Sequence, residues 1–123
     1  MRAFPKPSEV RKKPEVVKVF PSGREVCNLN TKAGMDEYVH RVDVMFARQG
    51  KRCGLIISPQ CKERNGKWPR NMICFGHFSS RGMGAGKRDD RIEVNGKPQS
   101  KALCPFCNIE QGSRPMSDFI DVP

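Results

Sequence analysis

A small α+β domain, held together by cysteines rather than by a large core, is what the sequence predicts, and three observations predict it. Apolar residues at Met35, Tyr38, Val39, Val42, Met45 and Phe46 follow the i, i+3, i+4, i+7 spacing of an amphipathic helix. The other apolar runs are short and bounded by turn residues, as strands are. The core must be thin: hydrophobic residues are 37% of the 123, Gly and Pro number 11 and 10, and the mean hydropathy is −0.63. A chain this short buries only about two-thirds of the surface it exposes when unfolded.

Residues 1–25 read as a basic, partly flexible arm. It carries Pro5, Pro7, Pro14, the cluster Arg11-Lys12-Lys13 and a short apolar stretch, Val16 to Phe20, that can add one edge strand. The long helix runs from Thr31 to Arg48, with Gly50 where a left-handed C-cap places a glycine. Its stripe is a core face, and His40, one position off it, is a surface or boundary histidine. Strands are expected at Leu55–Ile57 and Met72–Phe75, flanking a polar segment with a turn at Asn65-Gly66. A glycine-rich basic loop, Ser79 to Arg88, follows His77. Arg91 to Val94 alternates and ends in Asn95-Gly96, a hairpin signal whose return strand Pro98 weakens. Pro105 to Gln111 is a short helix, with Pro first and Gly112 beyond its end. The main domain is therefore 26–114, and 115–123 is a tail whose Phe119 and Ile120 can dock back.

Lys and Arg outnumber Asp and Glu by 23 to 13, giving a net charge of +10 and a pI near 9.7. A polyanion, nucleic acid first among them, is the expected partner. Residues 1–25 hold no signal-peptide run and no segment resembles a membrane span, so a reducing cytosol is expected and membrane partners are not. In that setting spaced cysteines are metal ligands more often than disulfides. Cys104 and Cys107 form a Cys-x2-Cys knuckle; Cys53 and Cys61 form a wider pair. Together they make a four-thiolate zinc site, its second pair at a helix start where amides favour thiolates. Structural zinc supplies roughly 10–16 kcal/mol of apparent binding energy in small domains, enough to offset a thin core. Cys74 and Cys27 are left over as small buried hydrophobes, although Cys27 could replace one of the four.

His77 is the residue singled out for chemistry. It follows an apolar strand, precedes a Gly- and Arg-rich loop and stands ahead of the knuckle that opens the short helix, which is the ββα-metal arrangement. The order Cys53-x7-Cys61, Gly76-His77, Lys87-Arg88-Asp89-Asp90 and Cys104-Pro105-Phe106-Cys107-Asn108 resembles the prophage-encoded YbcO-like nucleases. These stand among the HNH endonucleases with the NinG/Rap-type phage recombination nucleases, and the resemblance covers residues 50–114.

The resemblance implies an HNH (His-Me finger) fold and a metal-dependent DNA endonuclease of phage or prophage DNA processing, working in the cytoplasm of a bacterial host. His77 would be the general base, a role suited to an imidazole of ordinary pKa about 6.5, with Mg²⁺ or Mn²⁺ as the catalytic cation. Asn108 matches the final motif position, where Asn or His ligates that cation; the alternative is that it only caps the knuckle. Many HNH enzymes carry an acidic residue or histidine before the base, where this chain has Gly76. Asp89 and Asp90 are then the candidate metal ligands, unless they pair with the basic side chains around them. At the middle motif position stands Gln99, with Asn95 as a substitute. Arg81, Lys87 and Arg88 are expected on DNA phosphates. Two-fold substrates would favour a homodimer, although no interface is legible. The rival is a non-catalytic zinc-knuckle DNA-binding protein.

Overall fold

The computed structural model describes residues 16–78, 88–112 and 114–120. Within them the chain is a mixed α/β unit of three two-stranded antiparallel sheets and three helices. Strand β1 (Val17–Val19) pairs with β2 (Glu25–Cys27), Val17 opposite Cys27, so the apolar end of the expected arm belongs to the fold.

Helix α1 (Lys32–Arg48) begins at Thr31, whose hydroxyl accepts from the Gly34 amide at 3.0 Å, satisfying one of the first-turn donors. It stops at Gln49 and Gly50, the latter with φ +70°. Val42, Met45 and Phe46 are buried as the stripe predicts, but Met35 and Val39 are 41% and 44% exposed. A two-stranded sheet is too narrow to cover the whole stripe, and its N-terminal half becomes the wall of a cleft. His40 is exposed, as expected.

Leu55–Ile57 is not a strand. Ile56 has φ +51°, the Gly54 amide donates to the Ala102 carbonyl, and the Ile57 amide donates to the Cys107 sulfur. Ser58 then caps a five-residue helix, α2 (Pro59–Glu63), inside the segment whose sequence reads only as polar. A 3-10 turn at Arg70–Met72 leads into β3 (Cys74–His77), two residues later than expected. The Asn95-Gly96 hairpin forms, joining β4 (Glu93–Val94) to β5 (Lys97–Pro98). Strand β6 (Ser100–Leu103) has no counterpart among the expected elements; it pairs antiparallel with β3, His77 opposite Ser100 and Cys74 opposite Leu103. Helix α3 (Pro105–Gln111) has the predicted bounds, with Cys104 as its N-cap.

The core joins Val42, Met45 and Phe46 of α1 to Leu55, Trp68, Ile73, Phe75, Ala102 and Leu103, with the cysteines at one end. Met116 is fully buried and its amide donates to the Phe78 carbonyl, while Phe119 and Ile120 pack on the core, so residues 114–120 finish the domain. No described helix is long and apolar enough to cross a membrane.

Candidate metal centre and active site

Cys53, Cys61, Cys104 and Cys107 come together as their spacing suggested. Their sulfurs all lie within 4.8 Å of one another, and all four residues are buried. A tetrahedral zinc with bonds of about 2.3 Å would set sulfurs about 3.8 Å apart, so the four could hold a metal ion and are compatible with structural zinc. Each sulfur also accepts at least one N–H. The Cys104 amide donates to Cys53 at 3.4 Å, the Trp68 indole to Cys61 at 3.2 Å, the Cys107 amide to Cys104 at 3.3 Å, and the Ile57 amide to Cys107 at 3.3 Å.

Neutral thiols are weak acceptors, whereas such donors suit thiolates held by a cation. Burial pushes the Cys61 thiol up to about 11 and raises Cys104 as well. At Cys107 burial also pushes upward, but the Ser58 and Ile57 amides and the Ser58 hydroxyl outweigh it and bring that thiol down to about 7. Four buried sulfurs of this kind shed their protons together only when a cation compensates them. Cys27 is not among the four; it is buried on β2, and Cys74 is half-buried with its sulfur donating to the Leu103 carbonyl at 3.2 Å.

His77 ends β3 with its ring 4.7 Å from that of Phe75, which stacks in turn on Tyr38. Its Nε2 lies 2.8 Å from Oδ1 of Asp90. Asp90 has no exposed surface, and its carboxylate also accepts from Arg88 Nε at 2.8 and 3.0 Å and from the Cys27 amide at 2.8 Å. Burial would raise this carboxyl, yet His77, Arg88 and the Cys27 amide together hold it well below the ordinary carboxylate range. Arg41 closes the arrangement from α1, donating to the Asp90 carbonyl and to Glu25, both at 2.9 Å. Gln111 donates to the His77 carbonyl at 2.9 Å, tying α3 to the end of β3.

One cleft of about 530 Å³ runs between α1, β3 and α3, and both His77 and Asn108 line it. Tyr38, Met35 and Val39 form one wall, with Arg70 and Cys74 also lining it. The remaining expectations divide. Asp90 is engaged with His77 and Arg88, and Asp89 is paired with Arg91 at 2.7 Å, so the carboxylates expected as cation ligands are used within the protein. Arg88, expected on phosphates, is likewise turned inward, onto Asp90 and the Cys27 carbonyl. Arg81 and Lys87 lie outside the described residues. Asn95 is exposed in its hairpin turn and Gln99 is half-buried; neither lines the cleft.

A side chain at position 76 would fail for a steric reason, since a Cβ there would stand 2.4 Å from Leu103 Cδ1. Sequence reasoning missed the pairing of Asp90 with His77. The only signal was an acidic pair within a basic run, and nothing in the spacing tells that β2 and the β3–β6 pairing bring it back to the histidine. No family model, curated protein or solved structure matches the chain.

Proposed function

We propose that the chain is a DNA endonuclease of the HNH type, hydrolysing phosphodiester bonds with His77 as general base on a scaffold stapled by structural zinc. The observation that carries this reading is a histidine held by a fully buried carboxylate while its ring opens on a cleft shared with Asn108. Asp90 accepts the Nε2 proton, and that fixes the tautomer with its lone pair on Nδ1. Nδ1 then takes a proton from water, and the hydroxide attacks phosphorus as the bond from phosphorus to the 3′ oxygen breaks; the departing oxygen takes a proton from solvent, and the imidazolium so formed is stabilised by Asp90 until it returns its proton to water. A well-placed general base contributes roughly a hundred- to ten-thousand-fold in rate. The β3, β6 and α3 sequence of elements, with His77 at a strand end and Asn108 on the helix, is also the order the family resemblance implies.

Mg²⁺ sites use one or two carboxylates besides water and phosphate oxygens. Among the described residues lining the cleft there is none, Asn108 being the one hard ligand of the family motif. The donor set does not fit a resident divalent cation. That same observation favours the second reading, a non-catalytic zinc-knuckle DNA-binding protein.

A plasmid-nicking assay with Mg²⁺, with Mn²⁺ and with neither separates the two. Cleavage that falls at least a hundredfold in His77→Ala, with DNA binding retained, is the expected result. Binding without cleavage under every metal condition would leave only the second reading.

A further inference from the structure

We infer that the nucleic-acid backbone docks on the cysteine-cluster lobe, through Lys51, Arg52, Lys62, Arg64 and Lys67. This rests on the proposed action on DNA but concerns binding alone. Lys51, Lys62, Arg64 and Lys67 are exposed and Arg52 is half-buried. Backbone pairing gathers them: the Cys53 amide donates to the Gly66 carbonyl, Arg52 leans on Asn65, and Arg64 Nε donates to the Lys67 carbonyl at 2.9 Å. Between residues 51 and 67 the sole carboxylate is Glu63. Among the described residues, none of the five cations takes part in an ion pair.

Among the described residues, the arginines at the His77 cleft and at Asp90, namely Arg41, Arg70 and Arg88, each face a carboxylate. The five unpaired cations of the lobe, with Glu63 as the one carboxylate among them, are gathered where the cysteines fix the chain. The backbone holds these cations close together, and each phosphate they neutralise releases condensed counterions. The lobe also leads to the cleft. Lys51, Trp68 and Arg70 line one hollow on this side, and Arg70 lines the His77 cleft as well. Arg70 therefore stands between the hollow on the lobe side and the cleft of the histidine.

The test is binding of the zinc-loaded full chain to a short fluorescein-labelled DNA duplex of mixed sequence, in His77→Ala background and without added Mg²⁺ or Mn²⁺. A lobe triple, Lys51→Gln with Lys62→Gln and Lys67→Gln, is compared with a control triple of equal charge reduction, Lys18→Gln with Lys32→Gln and Lys97→Gln. The lobe triple should bind at least tenfold more weakly, and the slope of log affinity against log salt should fall by about 0.9 for each phosphate that the protein no longer neutralises. The control triple should change both far less. Lysine-to-arginine replacements at the three lobe positions should restore binding. Equal weakening by the two triples, unchanged binding in the lobe triple, or no binding by the chain with its lobe unaltered would overturn the inference. Because no cleavage is read, a chain that binds through the lobe yet never cuts DNA would sink the nuclease reading and leave this one standing.

Discussion

Asp90 is the residue on which the most interactions of the candidate site converge. Its carboxylate meets an imidazole, a guanidinium and a backbone amide while fully buried. A buried charge is tolerated only when its partners are complete, and removing one member of such a set typically costs about 3–5 kcal/mol. Asp90→Asn keeps the shape but leaves Arg88 without its countercharge, so a stability loss of that order is expected. It should also remove the fixed tautomer of His77, visible by ¹⁵N NMR of the ring as a mixture of Nδ1–H and Nε2–H forms. The pH dependence has a definite sign. The folded carboxyl lies below its unfolded value of about 4, so its stabilisation is complete above that pH and is lost as pH falls through the folded value. Acid also protonates the cysteine cluster, so the useful quantity is the difference in unfolding free energy between parent and variant. That difference should be largest near neutrality and shrink below about pH 4; a gap that stayed constant or widened in acid would remove Asp90 from this role.

At the scale of elements, Gly34 offers a case in which two local rules disagree about sign. Helix propensity alone makes Gly34→Ala stabilising by about 1 kcal/mol. A Cβ there would stand 1.8 Å from the Asn28 carbonyl oxygen, because the turn before α1 crosses over the helix at this point. Overpacking against backbone usually costs about 1–3 kcal/mol, so urea unfolding of Gly34→Ala should show a net loss near the upper end of that range, whereas a gain would mean that the turn yields freely. The same elements mark what the sequence could and could not disclose. Helix α3 is legible to the residue because Pro105 and Gly112 punctuate both ends, and α1 because its apolar period is sustained over about three turns, Met35 to Phe46. Leu55–Ile57 looks like a strand, but the Ile57 amide goes to a cysteine sulfur and the Gly54 amide just before the segment goes to Ala102 of β6, a demand invisible in an apolar run. Strand β6 was missed because Ser100, Ala102 and Leu103 are all buried and give no clean alternation. The cysteine spacing announced its cluster, while the approach of Asp90 to His77 depended on a strand pairing that no local pattern encodes.

For the molecule as a whole, the cysteine cluster is where otherwise weakly connected pieces meet. Cys53 comes from the segment after α1, Cys61 from α2, and Cys104 and Cys107 from the junction of β6 with α3. The sheets are two strands each, and two-stranded sheets are marginal by themselves. If zinc occupies the cluster, its removal leaves buried, mutually close sulfurs with protons they must regain and no cation to order the three segments. Trp68, the one tryptophan, donates its indole N–H to Cys61 and packs 5.2 Å from Phe106 on α3, so its fluorescence reports on this junction directly. Elemental analysis should find one zinc per chain. Stripping it with a chelator under reducing conditions should change Trp68 emission and abolish the cooperative thermal transition, and adding back zinc should restore both. Persistence of a cooperative transition in demonstrably metal-free protein would mean that burial alone suffices, against the expectation from so thin a core.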